Sequence, residues 1–395
     1  MVSTAPRKER AYLVGLDYGR GETMGAEESI RELGRLARTA GAVVVGQALQ
    51  RRAHPDPATY IGSGKLEEIK AQRAELDYGV VVFDEQLAPA QQLRLEQALD
   101  VKVLDRSALI LDIFASRART REASLQVELA QHEYLLPRLR GQWQHLERLE
   151  GAIGSRGPGE TQLETDRRLI GQRIARLRRD IEQVRRQRAL HRRRRERNGT
   201  PVVALVGYTN AGKSSLMRAL AGAEVLVADA LFATLDPVTR RIGVPGSAAA
   251  FLLTDTVGFI QKLPTQLVSA FRATLEELEG ADLLVHVVDA TSEAMAAQAE
   301  TVLRTIEELG LSEVPVLTVL NKADGLTLPD GTPVASEADL ERIEIASPCE
   351  TDFGPMLTSA VQGWGIDALR DRIALEVLGD AHGAAPSRAP REAWG

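Results

Sequence analysis

The sequence has little cysteine and no long apolar run. Its single cysteine, Cys349, excludes a disulfide framework within the chain and favours a reducing compartment. No apolar run approaches the ~20 residues that a membrane-spanning helix needs. Residues 1–10 are polar and lack the apolar core of a signal peptide. We therefore expect a cytoplasmic protein with no membrane span.

The remaining composition is that of a globular protein, with 44% hydrophobic and 26% charged residues. A length of 395 residues exceeds one ordinary core, so we expect two or three domains. After a disordered stretch at 1–10, helical periodicity alternates with short apolar runs at residues 11–15, 42–46, 79–83 and 101–104. This alternation predicts a small, largely parallel α/β domain over residues 11–115.

One stretch of that domain resembles half of a phosphate-binding loop. It contains Gly62, Gly64 and Lys65, but it lacks the five-residue glycine spacing and the Ser or Thr after the lysine. We interpret it as a turn into a helix that begins near Leu66. The alternative is a second nucleotide site, which would make the chain an RNA-binding or RNA-unwinding hydrolase that uses ATP there.

Residues 116–197 are predicted to form an antiparallel helical hairpin. The first helix covers residues 125–150 with a kink at Pro137, and a glycine-rich tip follows at 151–159. In the second helix, apolar residues at spacings of four and three predict a coiled-coil seam: Ile170, Ile174, Leu177, Ile181 and Val184.

The second helix is strongly basic although the net charge of the chain is −6. Between residues 167 and 197 there are fourteen arginines and three acidic residues. Arginine forks suit phosphate oxygens, so this stripe predicts contact with nucleic acid. The candidate contacts are Arg156, Arg167, Arg168, Arg178, Arg179, Arg185 and Arg186.

A P-loop lies at residues 207–214, after an apolar run that is typical of a buried strand and before a predicted helix. Its glycines allow a tight turn around a polyphosphate, and the helix start offers free N–H groups. Lys213 would meet the β- and γ-phosphates, and Ser214 would bind Mg²⁺. The predicted nucleotide contacts are Gly207, Tyr208, Thr209, Asn210, Ala211, Gly212, Lys213 and Ser214.

Two later stretches select guanine. Guanine presents two neighbouring donors that one carboxylate, Asp324, can accept, whereas adenine has no such pair. The predicted base contacts are Asn321, Lys322, Ala323 and Asp324, with Ser359, Ala360 and Val361 supplying a backbone N–H. We therefore expect GTP and GDP as ligands of a G domain over residues 198–378, followed by a disordered tail at 379–395.

The γ-phosphate is expected to meet the stretch Asp255, Thr256, Val257 and Gly258. Its carboxylate would join the Mg²⁺ shell, and the Gly258 N–H would reach the γ-phosphate. A switch threonine that contacts Mg²⁺ only in the triphosphate state is Thr234 or Thr239. Phe259 stands where Ras-like GTPases carry the glutamine that orients water, which predicts slow intrinsic hydrolysis.

Three stretches together resemble the HflX family of translational-factor-class P-loop GTPases. These are the P-loop with its Tyr-Thr-Asn sequence, residues 231–236 (Leu-Phe-Ala-Thr-Leu-Asp), and residues 154–168. The resemblance implies binding to ribosomal RNA of the large ribosomal subunit. It also implies GTP-dependent dissociation or rescue of stalled ribosomes, often under stress, and we expect a monomer. A GTPase that serves an RNA-modification enzyme or a membrane complex is a weaker alternative, because no such domain or membrane segment is visible.

The resemblance also implies roles for individual residues. It favours Thr234 over Thr239, and it adds as nucleotide contacts Phe232, Ala233, Thr234, Leu235 and Asp236. The catalytic groups would be Lys213, Thr234 and Gly258, with Mg²⁺ held by Ser214, Thr234 and Asp255. Asn210 resembles the P-loop asparagine of K⁺-stimulated relatives, so K⁺ is a second candidate cofactor.

Overall fold

The structure is a computed structural model. It describes residues 8–19, 25–139, 158–197, 200–222, 231–232, 234–262, 278–344 and 346–379, without the side chains of 158–163, 187–197 and 279. The chain forms two compact units. Unit 1 contains Met1–Arg188, Ala230–Asp236 and Gln261–Ala273, and unit 2 contains Ala189–Asp229, Pro237–Ile260 and Thr274–Gly395.

Unit 1 is built on a four-stranded sheet in the order β2-β1-β3-β4, in which every pair of neighbours is parallel. The strands are β1 (Arg10–Asp17), β2 (Val43–Arg51), β3 (Val80–Phe83) and β4 (Lys102–Asp105). The helices between and after them are α1 (Ala26–Thr39), α2 (Ser63–Leu76), α3 (Pro89–Leu99) and α4 (Arg106–Arg117). Buried Tyr12, Phe83 and Leu95 belong to its core. The predicted parallel α/β domain is confirmed.

The half phosphate loop is the start of α2. Gly62 is the residue before the helix, and its N–H donates to Gln50 Oε1 at 2.9 Å. Lys65 lies in the first turn and pairs with Glu68 at 2.7 Å. The predicted turn into a helix is therefore confirmed, and the groups that a nucleotide would need already have partners within the protein.

The helical region contains α5 (Arg121–Leu135) and α6 (Pro158–Arg197). The seam that was predicted from spacing is formed, because Ile174, Leu177 and Ile181 are buried together with Leu129 of α5. Helix α5 ends at Leu135, two residues before Pro137, whose ring cannot continue a helix. The break at residues 136–138 agrees with the kink predicted at Pro137, and residue 139 is helical again. The predicted end of this helix at residue 150 lies outside the described residues.

The direction of the two helices differs from the prediction. Arg173 pairs with Glu128 at 2.6 Å, and Arg178 pairs with Glu133 at 2.8 Å. Both pairs join residues 45 positions apart, so α5 and α6 run in the same direction where they touch. The antiparallel arrangement predicted for this contact is therefore corrected. The glycine-rich tip, apart from its last two residues, falls outside the described part of the chain.

Unit 2 is a six-stranded sheet in the order β10-β9-β8-β5-β7-β6, with β6 antiparallel to β7 and the other neighbours parallel. Its strands are β5 (Val202–Gly207), β6 (Val238–Gly243), β7 (Ala250–Asp255), β8 (Leu283–Asp289), β9 (Val316–Asn321) and β10 (Phe353–Leu357). Its helices include α7 (Lys213–Ala221), α8 (Met295–Glu308) and α9 (Ile366–Leu378). Across the residues that the structure describes, no helix is both long and apolar enough to span a membrane.

Candidate nucleotide-binding site

The P-loop joins the end of β5 to the start of α7, as predicted. Gly212 has φ 94°, a left-handed conformation that glycine adopts without cost. A Cβ there would collide with the Asn321 side chain, and a Cβ on Gly207 would collide with the Val287 carbonyl oxygen. Both glycines are therefore required because neighbouring strands approach the loop closely.

Lys213 is buried at the first position of α7. Its Nζ donates to the carbonyl oxygens of Gly207 at 3.0 Å and Tyr208 at 2.8 Å. Burial lowers the pKa of Lys213 to about 8, although the nearby Asp255 carboxylate acts in the opposite direction. A buried ammonium group with a lowered pKa gains most from a polyanionic ligand, because the ligand restores the stability of the charged form.

Ser214 and Asp255 form the oxygen-rich part of the site. The Ser214 hydroxyl donates to Asp255 Oδ2 at 2.6 Å, and Asp255 ends β7. In the described part of the chain, no group of three or more His, Cys, Asp or Glu could hold a metal ion. One hydroxyl and one carboxylate fit Mg²⁺, which keeps waters and takes further oxygens from phosphates.

The stretch after Asp255 lies directly against the P-loop. The Phe259 N–H donates to the Gly207 carbonyl at 3.0 Å, and the Phe259 carbonyl accepts from the Thr209 N–H at 2.7 Å. The Phe259 side chain is only 1% exposed, so it belongs to the core and offers no group to a water molecule. A Cβ on Gly258 would lie 2.9 Å from Lys213 Nζ, which places Gly258 beside that ammonium group.

Asn321 connects the phosphate loop to the base loop. Its Nδ2 donates to the Ala211 carbonyl at 3.0 Å, and its Oδ1 accepts from the Ala360 N–H at 3.1 Å. Asp324 Oδ1 accepts the Ser359 hydroxyl at 2.6 Å. Two predicted base-contact stretches that lie far apart in sequence are thus adjacent in the structure.

Sequence reasoning missed Asp289. Lys322 has a left-handed φ of 65°, and its Nζ pairs with Asp289 Oδ2 at 2.6 Å. Asp289 is the last residue of β8 and lies opposite Asn321 of β9. Its position at a strand end beside the base motif was a signal that could have identified it.

The other predicted site residues of unit 2 lie in the same loops. Thr256 donates to the Leu205 carbonyl at 2.7 Å, and Val361 is 72% exposed beside the base loop. Thr239, the competing switch threonine, lies in β6 with its hydroxyl 3.0 Å from that of Thr254.

Residues 231–236 belong to unit 1. The Phe232 ring packs edge-to-face on Phe114 with centroids 4.6 Å apart, and Asp236 accepts from the Arg119 N–H at 3.0 Å. Ala233 is outside the described residues. The roles of Phe232, Thr234, Leu235 and Asp236 at the nucleotide stay predictions.

The arginine candidates on α6 face solvent for the most part. Exposed side chains belong to Arg167, Arg168, Arg178, Arg179 and Arg186, while Arg185 is half-buried. Arg178 pairs with Glu133, as described above, and Arg186 pairs with Glu182 at 3.4 Å. Arg156 is outside the described residues. The exposed arginines leave a positive helix face for an anionic partner.

Three family models match consecutive parts of the chain. Their descriptions are GTP-binding GTPase N-terminal for residues 27–115, GTP-binding GTPase Middle Region for 117–195, and 50S ribosome-binding GTPase for 202–322. The chain is 50% identical over 317 residues to GTPase HflX of Lacrimispora saccharolytica, covering 80% of this chain and 74% of the relative. It is 46% identical over 318 residues to GTPase HflX of Escherichia coli, covering 80% and 74%.

A solved structure described as the SsGBP and GDP complex is 26% identical and covers 94% of this chain and 98% of that one. Its TM-score of 0.49 is too low to support a conclusion, so the assignment depends on the family models and the sequence relatives.

Proposed function

This chain belongs to the HflX family of GTPases, and from that premise we propose that it binds the large ribosomal subunit in the cytoplasm, as a monomer, and uses GTP-dependent switching to dissociate or rescue stalled ribosomes. The observation that carries the proposal is the exposed arginine face of α6. Its apolar face packs on α5, so Arg167, Arg168 and Arg179 remain available to an RNA backbone.

The nucleotide site supports the proposal that the protein binds and hydrolyses GTP. Asp324 rejects adenine because that base would leave the carboxylate without donors. Lys213 and the P-loop N–H groups would stabilise the charge that develops on the transferred phosphoryl group. Mg²⁺, held by Ser214 with Asp255 nearby and with Thr234 as the expected switch ligand, would neutralise phosphate charge when bound.

The buried Phe259 supports activation by a partner. Hydrolysis needs a group that orients the attacking water, and a buried phenyl ring supplies none. The missing group would come from the ribosome or from a monovalent cation beside Asn210, whose backbone φ is 63°. Steady-state hydrolysis rates in K⁺ and in Na⁺ test the cation. Equal rates in the two salts, measured both with and without ribosomes, would exclude it.

The ribosomal half is supported by charge and by the description of the matching G-domain family as a 50S ribosome-binding GTPase. An RNA backbone would meet the arginines as forked donors to phosphate oxygens, and this interaction weakens steeply with salt. Helix α6 would then carry the main RNA contact, and the G domain would control when that contact is made.

Co-sedimentation with purified large subunits tests this assignment. The double variant Arg167→Glu/Arg168→Glu should lose binding in the presence of a non-hydrolysable GTP analogue. The salt dependence of any remaining binding should flatten by about one unit of log–log slope for each lost phosphate contact. The matched control is Arg240→Glu/Arg241→Glu on β6, where both side chains are also exposed. Full binding by the α6 variant, or equal loss in both variants, would contradict the assignment.

A further inference from the structure

Buried threonines occur only in unit 2 among the residues that the structure describes, and there are six of them. A hydroxyl that is buried without a hydrogen-bond partner costs folding free energy, because water solvates it in the unfolded chain. Each of these hydroxyls is therefore expected to have a partner within the protein. The six are Thr209, Thr254, Thr256, Thr301, Thr318 and Thr358.

Five of the six hydroxyls have such a partner. Thr256 donates to the Leu205 carbonyl at 2.7 Å, and Thr301 donates to the Ala297 carbonyl at 2.8 Å. The other three hydroxyls lie 2.9–3.3 Å from oxygens of neighbouring side chains: Thr254, Thr318 and Thr358. Partnered hydroxyls are thus the rule for the buried threonines of this unit, as they are in proteins generally.

Thr209 is the exception. The residue is 7% exposed, and its Oγ1 is buried without a hydrogen-bond partner among the described residues. An unpartnered buried polar atom in a folded protein calls for a specific explanation, and a role in binding or catalysis is one of them. Since Thr209 belongs to the P-loop, this explanation is the one to test.

The backbone fixes the position of Thr209 in the loop. Its N–H donates to the Phe259 carbonyl at 2.7 Å, and the Phe259 N–H donates to the Gly207 carbonyl at 3.0 Å. Because threonine is branched at Cβ, its χ1 angle is restricted to a few values. The hydroxyl therefore has few positions available to it, all of them close to the loop.

Thr209 lies beside the two groups that are expected to meet the γ-phosphate. A Cβ on Gly258 would be 2.9 Å from Lys213 Nζ, 2.8 Å from the Thr209 Cα and 3.0 Å from the Thr209 Cγ2. The Thr209 side chain and the Lys213 ammonium group thus lie against the same side of Gly258. Because a P-loop lysine reaches the β- and γ-phosphates, Thr209 is placed at the phosphate end of the site.

The chemistry of a hydroxyl suits this place. An O–H group donates to an anionic phosphate oxygen in a charge-assisted hydrogen bond, which is stronger than a bond between neutral groups. The Thr209 hydroxyl is already out of water in the free protein, so the contact requires no further desolvation of it. A donor that is fixed and desolvated in advance also needs no reorganisation when the phosphate binds.

We propose that the Thr209 hydroxyl donates a hydrogen bond to a γ-phosphate oxygen of GTP and so favours GTP over GDP. GDP lacks this phosphate and leaves the hydroxyl without a partner. The proposal rests on the nucleotide part of the proposed function. It adds a side-chain contact of Thr209 to the contacts expected from the P-loop N–H groups and Lys213.

The test compares the affinities of the full chain for a non-hydrolysable GTP analogue and for GDP, with Mg²⁺ and without ribosomes. Thr209→Val removes the hydroxyl and keeps the shape of the side chain. The ratio of GTP-analogue affinity to GDP affinity should fall about tenfold, the scale of one lost hydrogen bond to a charged group. The kcat/KM for GTP should fall by at least as much. Thr209→Ser keeps a hydroxyl and should retain most of the ratio.

Thermal unfolding of the nucleotide-free chain gives a second readout. Thr209→Val removes an unpartnered buried hydroxyl, so its melting temperature should be higher than that of the unmodified chain by about 2–4 °C. Thr318→Val is the matched control, because Thr318 is fully buried and its hydroxyl lies 2.9 Å from that of Thr351. This control should melt at a lower temperature and keep the nucleotide ratio of the unmodified chain.

An unchanged ratio in Thr209→Val would overturn the proposal, and so would an equal loss of affinity for both nucleotides. A variant that melts below the unmodified chain, or fails to fold, would also overturn it, because the hydroxyl would then have a structural role. Failure of the proposed function would look different. The unmodified chain would then not bind the GTP analogue, or would neither bind large subunits nor be stimulated by them.

Discussion

Asp105 in unit 1 and Asp255 in unit 2 occupy the same position in their strands. Each is the last residue of a strand, and each is buried, at 0% and 2% exposure. Asp105 accepts from the N–H groups of Leu87 and Ala108, from Arg138 and from Tyr134, at 2.8–3.1 Å. These donors saturate both of its oxygens with groups of the protein.

Asp255 has different neighbours. It accepts the Ser214 hydroxyl and lies near Lys213, whose pKa falls to about 8. At neutral pH, which is below this pKa, Lys213 carries its proton. Burial disfavours its charged form, however, so the site favours an anionic ligand that stabilises this charge. The two carboxylates thus differ in their partners, since protein donors surround Asp105, whereas Asp255 lies beside the P-loop and its buried lysine.

The largest effect is expected from removing the carboxylate of unit 2 that we propose selects guanine. Asp324→Asn replaces an acceptor by a group that is partly a donor, so one guanine N–H loses its partner. We expect GTP affinity to fall on the order of 10⁴-fold, the scale on which hydrogen-bonding sites reject wrong partners. Fluorescent-nucleotide titration measures it, and a loss smaller than tenfold would show that Asp324 does not contact the base.

The corresponding substitution in unit 1 should lower the stability of the fold and leave the affinity for GTP unchanged. Arg138→Met deprives the buried Asp105 of its cation, and breaking a buried pair in this way costs about 3–5 kcal/mol of unfolding free energy. Urea denaturation measures the loss. GTP affinity should stay within about twofold, because distant sites act independently. A large loss of GTP affinity in a variant that remains stable would show that Asp105 does not have a purely structural role.

The smallest predicted effect is a pH dependence from Lys213. Its pKa of about 8 in the free protein means that the ammonium form is lost as the pH rises above 8. We expect kcat/KM for GTP to be level below that pH and to fall about tenfold per pH unit above it. Lys213→Arg keeps its charge, so its activity, however reduced, should lack this fall. A level profile up to pH 10 in the unmodified chain would contradict the shift.

The lowered pKa of Lys213 has the opposite effect on stability, which should rise with pH where activity falls. The pKa of Lys213 is lower in the folded protein than its ordinary value of 10.5. Between the two values the unfolded chain binds the extra proton, so the contribution of Lys213 to stability rises with pH from about 8 to about 10.5. Denaturation measures the free energy of unfolding of the unmodified chain and of Lys213→Met across this pH window. The difference between the two free energies should rise with pH.

The sequence predicted those elements that depend on residues close together in the chain. The turn at Gly62 leads into α2, and the glycines of the P-loop lie where close approach requires them. The direction of α6 against α5 could not be predicted from its seam, because apolar spacing is the same for parallel and antiparallel neighbours. Asp289 was missed for a related reason, since its partner Lys322 lies 33 residues away in the sequence.

We propose that a ribosomal partner supplies the group that orients the attacking water, which the buried Phe259 cannot do. The most direct measurement is GTP hydrolysis by the full chain with and without purified large ribosomal subunits, beside an ATP control. We predict slow hydrolysis alone, strong stimulation by the subunit, and little ATP turnover. Unchanged GTP turnover, or equal use of ATP, would contradict the account and would shift attention to a second nucleotide site near Gly62 and Lys65.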